Sequence, residues 1–426
     1  MALFNFDSKD KPLASPARFA GRLLANIAVA LALVAAALGV DRAVTAPLLV
    51  LLGFIFAPIV GARPNVLVIM VDDLGYADLG VHGGREVRTP NIDALAAGGV
   101  RCTSGYVTAP YCSPSRAGLL TGRYQTRFGH EFNPHVGDEA VLGLPLDERT
   151  IADRLKSAGY ATAVIGKWHQ GFTKDRHPQS RGFDEFFGTL ANTPFFQPRS
   201  FVDSRVSDDV RAVTDPAFYT TDAYTDRAID WLERNRGRPW FLYLPYNAQH
   251  APLEAPARYL ARFPGITDPQ RKLFAAMMAA MDDGVGRVLA KVRALGQEEN
   301  TIIFFIADNG GPTQELTSSN APLSGGKGSV LEGGLRVPFL ISGPGIAGDV
   351  CSRVPVTACD ILPTIAELCG ARVPADIDGL SLVPELLGEA AAGRKQWRAE
   401  SRHLRARRSV FWWLRMPWVP ASTVAS

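Results

Sequence analysis

Four apolar runs rich in β-branched and aromatic residues constrain the fold of this chain most strongly. The runs cover residues 65–71, 160–166, 241–246 and 301–307. Continuous apolar runs are typical of strands that are buried on both faces of a parallel sheet. Stretches with apolar residues at helical spacing lie between them, and such alternation indicates an α/β protein. We therefore predict a doubly wound, mostly parallel sheet with helices on both faces.

Capping signals place helices between these runs. Thr89 followed by Pro90 predicts one helix start, and Thr150 predicts a second. A further helical stretch extends from about Leu273 to Leu295, directly before the last apolar run.

Composition excludes several classes of protein. The chain has 47% hydrophobic and 20% charged residues and a formal net charge of +3 over 426 residues. These values are typical of a globular protein with added apolar segments, and so small a charge gives no general attraction to nucleic acid. Five scattered cysteines are too few for a disulfide scaffold. We therefore expect neither a disordered chain nor a nucleic-acid partner.

Two apolar stretches, residues 23–40 and 43–62, precede the first predicted strand. Each approaches the roughly 20 residues that are needed to cross a bilayer. One crossing, or a signal peptide cleaved after residue 62, would export the rest of the chain, whereas two crossings would return it to the cytoplasm. We predict that residues 1–62 are a signal or membrane-anchor region and that the main domain, residues 63–388, is periplasmic or otherwise outside the cytoplasm.

Polar residues follow each of the four apolar runs. They are Asp72 and Asp73, then Lys167 and His169, then His250, and finally Asp308 and Asn309. Ligands of open α/β sheets bind beyond the carboxyl ends of the strands, so these side chains are expected to share one pocket. Each group taken alone is also an ordinary turn sequence or a structural histidine.

A metal site is one consequence of this convergence. Three carboxylates and one amide oxygen are hard ligands, which suit Ca²⁺, or Mg²⁺ as an alternative, better than they suit zinc. The ligands would be Asp72, Asp73, Asp308 and Asn309.

Cys112 lies in the stretch YCSPSRAGLLTG, residues 111–122. Pro114 suits the first turn of a helix, so Cys112 is expected just before the helix start, with Arg116 nearby. A buried apolar cysteine and a reactive thiolate are both open interpretations. A thiolate nucleophile, however, is a poor match for a hard divalent cation.

Lys327 is flanked by glycines in the stretch SGGKGSVLEGG. A phosphate-binding loop is not supported, because Ala321 and Gly328 occupy positions where that motif requires Gly and Ser or Thr. A close contact with an anion and a flexible surface loop both remain open.

The segment CSPSRAGLLTG resembles the signature of type I sulfatases, which belong to the alkaline phosphatase superfamily. Further blocks resemble the same family in the same order, and the resemblance covers about residues 64–387. These blocks are PNVLVIMVDDLGYADLG, TPNIDALAAGGVRCTSGY, GKWHQG, ADNGG, GGKGSVLEGGLRVP and DGLSLVPELLG. The nearest resemblance is to arylsulfatases and to bacterial enzymes that act on sulfated sugars.

This resemblance implies a specific chemistry. A formylglycine-generating enzyme would oxidise Cys112 to formylglycine, whose hydrated aldehyde attacks the sulfur of a sulfate ester. Asp72, Asp73, Asp308, Asn309 and the modified residue 112 would bind Ca²⁺. The hydrated aldehyde is a diol with two hydroxyl groups, and Arg116 and Lys167 would support this diol and the metal. His169 would deprotonate the second hydroxyl. His250 and Lys327 would bind the sulfate.

Two alternatives to a sulfatase acting on aryl or carbohydrate sulfates remain. Related phosphate and phosphonate ester hydrolases use similar sites. The second alternative is a catalytically impaired anion-binding protein, because residues 389–426 form a basic, aromatic tail where the family usually has a small C-terminal subdomain. We predict that this subdomain is truncated or altered. We predict no function for the loops 127–139 and 192–201, nor for His130 and His135 in the first of them.

Overall fold

The computed structural model describes residues 63–134 and 143–387. The predicted signal or membrane-anchor region, 1–62, and the predicted tail, 389–426, lie outside the described residues. All described residues fall within the predicted main domain. None of its described helices combines the length and the apolar character needed to cross a bilayer.

The described residues form twelve strands. They are β1 Asn65–Val71, β2 Gly99–Cys102, β3 Gly105–Tyr106, β4 Ala161–Lys167, β5 Glu185–Thr189, β6 Phe201–Asp203, β7 Ser207–Arg211, β8 Trp240–Tyr246, β9 Thr301–Ala307, β10 Phe339–Ser342, β11 Val350–Ser352 and β12 Val356–Thr357. Ten of them build one sheet in the order β11-β2-β10-β9-β1-β8-β4-β5-β6-β7, and β12 pairs with β3. The five central strands, β9 to β5, run parallel. The predicted mostly parallel sheet is therefore confirmed.

Nine α-helices and six short 3-10 segments connect the described strands. The helices are α1 Pro90–Ala97, α2 Cys112–Thr121, α3 Ile151–Ser157, α4 Thr220–Asn235, α5 Ala257–Leu260, α6 Pro269–Ala294, α7 Glu332–Leu335, α8 Ile361–Leu368 and α9 Val383–Leu387. One group packs α6 against α1, α4 and α5, and another packs α8 against α2, α3 and α9. Every residue of β1, β4, β8 and β9 is buried, so both faces of the central sheet are covered.

The predicted helix starts are correct in position but differ in detail. Thr150 caps α3 by a capping box, in which its hydroxyl accepts from Asp153 N and the Asp153 carboxylate accepts from Thr150 N. Thr89 occupies the N-cap of α1 without capping it, because its Oγ1 accepts from Gly80 N and donates to Asp93 instead.

The strand register brings four carboxyl ends to one edge of the sheet. Val71, the last residue of β1, pairs with Ala307 at the end of β9 and with Tyr246 at the end of β8. On the other side of β8, β4 ends at Lys167. The polar residues that follow these strands therefore lie above the centre of the sheet, as predicted.

Candidate active site

Carboxylates from two neighbouring strands meet at this edge. Asp72 and Asp73 follow β1, and Asp308 and Asn309 follow β9. All four are buried. Asp73 N donates to Asp308 Oδ1 at 3.3 Å, and Asn309 Nδ2 donates to Asp73 Oδ1 at 2.8 Å. Two adjacent strand ends thus place three carboxyl groups in one water-excluded cluster.

Arg116 and Lys167 balance the charge of these carboxylates. The Arg116 Nη2 atom lies 2.8 Å from Asp308 Oδ2 and 3.3 Å from Asp72 Oδ2, and its Nη1 donates to the Lys167 carbonyl at 2.9 Å. The Lys167 ammonium pairs with the same Asp72 oxygen. Neither cation has any solvent exposure. Buried charges of this kind are tolerated only when they are paired and hydrogen-bonded, as they are here.

The pKa values of Asp72 and Asp308 are shifted in opposite directions. Burial alone would raise the pKa of Asp72, but the surrounding cations, chiefly Lys167, hold it well below its usual range. Burial raises the pKa of Asp308 to about 6, and the nearby negative charge of Asp72 adds to this. Asp72 therefore carries the firmer negative charge of the pair.

Cys112 is the first residue of α2, whose N-cap is Tyr111. The prediction that Cys112 precedes the helix was wrong by one residue. Pro114 is tolerated at the third helical position because the first-turn N–H groups have no partner within the helix. The Cys112 thiol is fully buried and donates to Asp72 Oδ1 at 3.4 Å. Helix α2 therefore delivers residue 112 directly to the carboxylate cluster.

An unmodified Cys112 is poorly suited to act as a nucleophile. Burial raises the pKa of its thiol far above the ordinary value, and the negative charge of Asp72 raises it further. The thiolate is the reactive form of cysteine, so this thiol stays protonated and inert at neutral pH.

The cluster fits a divalent cation. One ligand atom from each of four residues lies within 4.8 Å of the other three, namely from Asp72, Asp73, Cys112 and Asp308. The buried Oδ1 of Asn309 has no hydrogen-bond partner among the described residues. An orphaned buried carbonyl oxygen beside three carboxylates is a donor set for Ca²⁺ or Mg²⁺, whereas the thiol is too soft a ligand for either ion.

His169 lies beside the same cluster in a left-handed backbone conformation, with φ at 57°. Burial lowers the pKa of this imidazole well below its ordinary value, and the positive charges of Lys167 and Arg116 lower it further. Its Nδ1 is buried and has no hydrogen-bond partner among the described residues. His169 is therefore neutral at pH 7 and has a nitrogen available to accept a proton.

His250 and Lys327 form the solvent-facing side of the site. Lys327 Nζ lies 2.8 Å from Asp73 Oδ2, and His250 Nε2 lies 3.7 Å from that oxygen. The Lys327 side chain is 15% exposed to solvent and the His250 side chain is 17% exposed. The site is therefore accessible where these two residues meet Asp73.

A glycine-rich loop carries Lys327, and sequence reasoning missed the residue that holds this loop. Asn320 donates to the Gly311 and Gly325 carbonyls and accepts from Gly311 N, which ties the loop to the segment after Asn309. A Cβ atom on Gly310 would lie 1.7 Å from the Gly333 carbonyl oxygen, so the approach of the two segments requires glycine. An asparagine in a loop gives no sequence signal for such a role.

Sequence reasoning also missed the partners of Ser113. Its hydroxyl donates to the His169 carbonyl and lies 2.7 Å from His130 Nε2. Ser113 has one hydroxyl proton, so Nε2 of His130 must be the donor to Ser113. Burial lowers the pKa of His130 to about 4, which keeps it neutral. His130, which received no role above, thus helps to fix the start of α2, while His135 lies outside the described residues.

All ten predicted site residues therefore lie close together in the structure. Comparisons with known proteins identify the family. The sequence model of the sulfatase family matches residues 64–371. The chain is 36% identical over 329 residues to arylsulfatase J of Mus musculus, which covers 74% of this chain and 54% of that protein. It is 35% identical over 350 residues to N-acetylgalactosamine-6-sulfatase of Homo sapiens, and this match covers 76% of this chain and 66% of that protein.

A solved structure gives the same result. The crystal structure of Ps i-CgsB in complex with k-i-k-neocarrahexaose superposes with a TM-score of 0.71 at 37% identity and covers 76% of each chain. This chain spans between about half and two thirds of the length of the two curated relatives. A family match over most of the described residues, with relatives above 30% identity, shows that the chain belongs to the sulfatase family.

Proposed function

We propose that this protein hydrolyses sulfate esters through a formylglycine made from Cys112, with a calcium ion bound beside it. The observation that carries this proposal is that potential ligand atoms of residue 112 and three carboxylates lie within 4.8 Å of one another. The unmodified thiol is protonated and too soft for such a site, whereas oxygen atoms at the same position would complete a hard-ligand set.

Formylglycine, as its hydrate, would supply a hydroxyl oxygen that attacks sulfur, and calcium would supply positive charge to the sulfate oxygens. Asp72, Asp73, Asp308 and Asn309 would hold the ion, with residue 112 as a fifth ligand. Magnesium is the alternative ion. A formylglycine-generating enzyme is the partner that this maturation needs.

The buried cations have two tasks in this proposal. Arg116 fixes Asp308 and Asp72 by the contacts described above, so that the carboxylates keep their orientation. Lys167 places an ammonium group beside Asp72, where it can also stabilise negative charge near residue 112. Because both cations are shielded from water, solvent screens their fields less than it would at the protein surface.

Proton transfer is assigned to the histidines and to Lys327. Neutral His169 is suited to accept a proton from residue 112, because it is uncharged and its Nδ1 is unpaired among the described residues. His250 and Lys327, at the accessible side, are suited to bind the sulfate oxygens. Either can donate a proton to the departing alcohol oxygen.

The proposed substrates are aryl or carbohydrate sulfates, in line with the names of the relatives, arylsulfatase and N-acetylgalactosamine-6-sulfatase. We also propose an exported or membrane-anchored protein whose catalytic domain, residues 63–388, lies outside the cytoplasm.

The test is hydrolysis by the full chain after co-expression with a formylglycine-generating enzyme. We expect release of the chromophore from 4-nitrophenyl sulfate, with little release from 4-nitrophenyl phosphate, and loss of the activity in Cys112→Ala. Preferred turnover of the phosphate ester would replace the proposal by a phosphate or phosphonate hydrolase. A modified residue 112 without turnover of either ester would instead indicate a catalytically impaired sulfatase relative.

A further inference from the structure

A cleft of about 600 Å³ adjoins the candidate active site on the side of Lys327. Its lining includes Tyr111 and Gly328, the chain neighbours of Cys112 and Lys327. Gly328 N donates to the Pro110 carbonyl at 2.9 Å, so the two segments meet where the cleft begins. The cleft therefore begins one residue along the chain from both Cys112 and Lys327, although neither of them lines it.

The lining of the cleft exposes large apolar side chains. Tyr111 is 38% exposed, Phe132 69% and Val330 59%. Asn133, the neighbour of Phe132, accepts from Ser113 N at 2.9 Å, which anchors this wall to the start of α2. A single exposed apolar residue needs no explanation, but several around one cleft mark a binding surface.

The charges in the cleft do not favour an anion. The charged residues among the described lining are one cation, Arg127, and two carboxylates, Glu131 and Asp378. The Nη1 atom of Arg127 lies 2.7 Å from Asp378 Oδ1, so its charge is already paired. A second sulfate or carboxylate group on a substrate would meet more negative than positive charge here.

We propose that this cleft selects sulfate esters whose alcohol portion is an apolar ring without a second acidic group. Tyr111, Phe132 and Val330 are the residues that determine this specificity. The two aromatic side chains offer faces and edges for ring stacking, and Val330 adds apolar area. The inference rests on the proposed function only in placing the sulfate end of the ligand beside residue 112.

The test measures ligand binding without turnover. The full chain carrying Cys112→Ala is titrated by calorimetry, in calcium-containing buffer, with phenyl sulfate, 2-naphthyl sulfate and 6-carboxy-2-naphthyl sulfate. We expect 2-naphthyl sulfate to bind about tenfold more tightly than phenyl sulfate, because the second ring buries additional apolar surface. The added carboxylate should cancel most of this gain.

Variants of residues that line the cleft, and of one exposed residue that does not, make the test specific. Phe132→Ala and Tyr111→Ala should each reduce the naphthyl preference at least threefold. Val206→Ala should keep it, because Val206 is 74% exposed and does not line the cleft. Equal affinity for the two uncharged esters, a preference that survives both aromatic variants, tighter binding of the carboxylated ester, or no binding at all would overturn the inference. Failure of the proposed function would be recognised separately, as absence of turnover by the formylglycine-bearing protein.

Discussion

The floor and the mouth of the candidate active site are built on different principles. The floor has no solvent exposure and consists of Asp72, Cys112, Arg116, Lys167 and Asp308. The mouth consists of His250 and Lys327, which remain partly exposed. A charge in the floor must be balanced by neighbouring side chains, whereas water screens a charge at the mouth. The floor therefore couples activity to stability, and the mouth contributes mainly to activity.

A carboxyl outside the site shows what the floor cations achieve. Asp78 is also buried, but it accepts from Gly75 N and Ser319 N, and its nearest cation, Arg271, is 4.0 Å away. Burial raises its pKa to about 7. The pKa of Asp72 is instead low, because Lys167 and Arg116 contact it directly. Burial thus shifts an acid towards its neutral form, and the paired cations more than offset this shift at Asp72.

The largest expected effect is that of Lys167→Met. It leaves Asp72 with less compensating charge, so we expect a loss of about 3–5 kcal/mol in the free energy of unfolding and loss of turnover. Urea unfolding followed by circular dichroism measures the first and the aryl sulfate assay the second. Adding Asp72→Asn should restore much of the stability but none of the activity. A single variant that is as stable as the parent would contradict the account of the floor.

Changes at the mouth come next. Lys327→Met and His250→Ala should each lower kcat about 10²- to 10³-fold, as expected for loss of one stabilising group at the reacting centre. The free energy of unfolding should fall less than in Lys167→Met, because Lys327 and His250 keep part of their solvent exposure, whereas Lys167 has none. Lys291→Met removes a comparable lysine on α6 that pairs with Glu233 of α4, and it should leave kcat unchanged. Strong destabilisation by the mouth variants would remove the distinction between the two regions.

Calcium should stabilise the floor even when no reaction takes place. At a concentration of a hundred times its Kd, the ion should add about 2.7 kcal/mol to the free energy of unfolding. Thermal unfolding with and without calcium measures this gain. Asn309→Ala should reduce it, because the variant lacks the unpaired Oδ1, whereas Asp209→Asn, at an exposed carboxylate on β7, should not. No calcium-dependent shift in the parent would argue against a metal site.

The smallest effect is expected far from both regions, at the N-cap of α3. Thr150→Ala removes the hydroxyl of the capping box and should cost about 1 kcal/mol of stability without changing kcat. Thr150→Ser retains the hydroxyl and should stay within a few tenths of the parent. A fall in kcat for Thr150→Ala would show that modest destabilisation by itself reduces activity, which would weaken the interpretation of the floor variants.

Local sequence was sufficient to predict the central strands and the residues that follow them. Short apolar runs rich in β-branched residues favour a buried strand over a buried helix, and parallel strands bring their carboxyl ends together by geometry. This is why Asp72, Lys167 and Asp308 could be placed in one site although 95 and 236 residues separate Asp72 from the other two.

The remaining features depend on contacts that no local pattern encodes. The ion pair of Arg116 with Asp308 spans 192 residues, and the hydrogen bond of Ser113 with His130 depends on how a 3-10 turn packs against α2. The apolar cleft combines Tyr111 and Phe132 with Val330, which is distant in the chain. Side chains of these types are common on any protein surface, so only the fold shows that these three line the same cleft.

The central claim is that residue 112 is a precursor of formylglycine and not a cysteine nucleophile. Mass spectrometry of the tryptic peptide 102–116, from protein made with a formylglycine-generating enzyme and treated with iodoacetamide, tests it most directly. The peptide also contains Cys102, which serves as an internal control for alkylation. We predict a single alkylation, at Cys102, and a mass at residue 112 that corresponds to an aldehyde or its hydrate. Alkylation of both cysteines would contradict the claim.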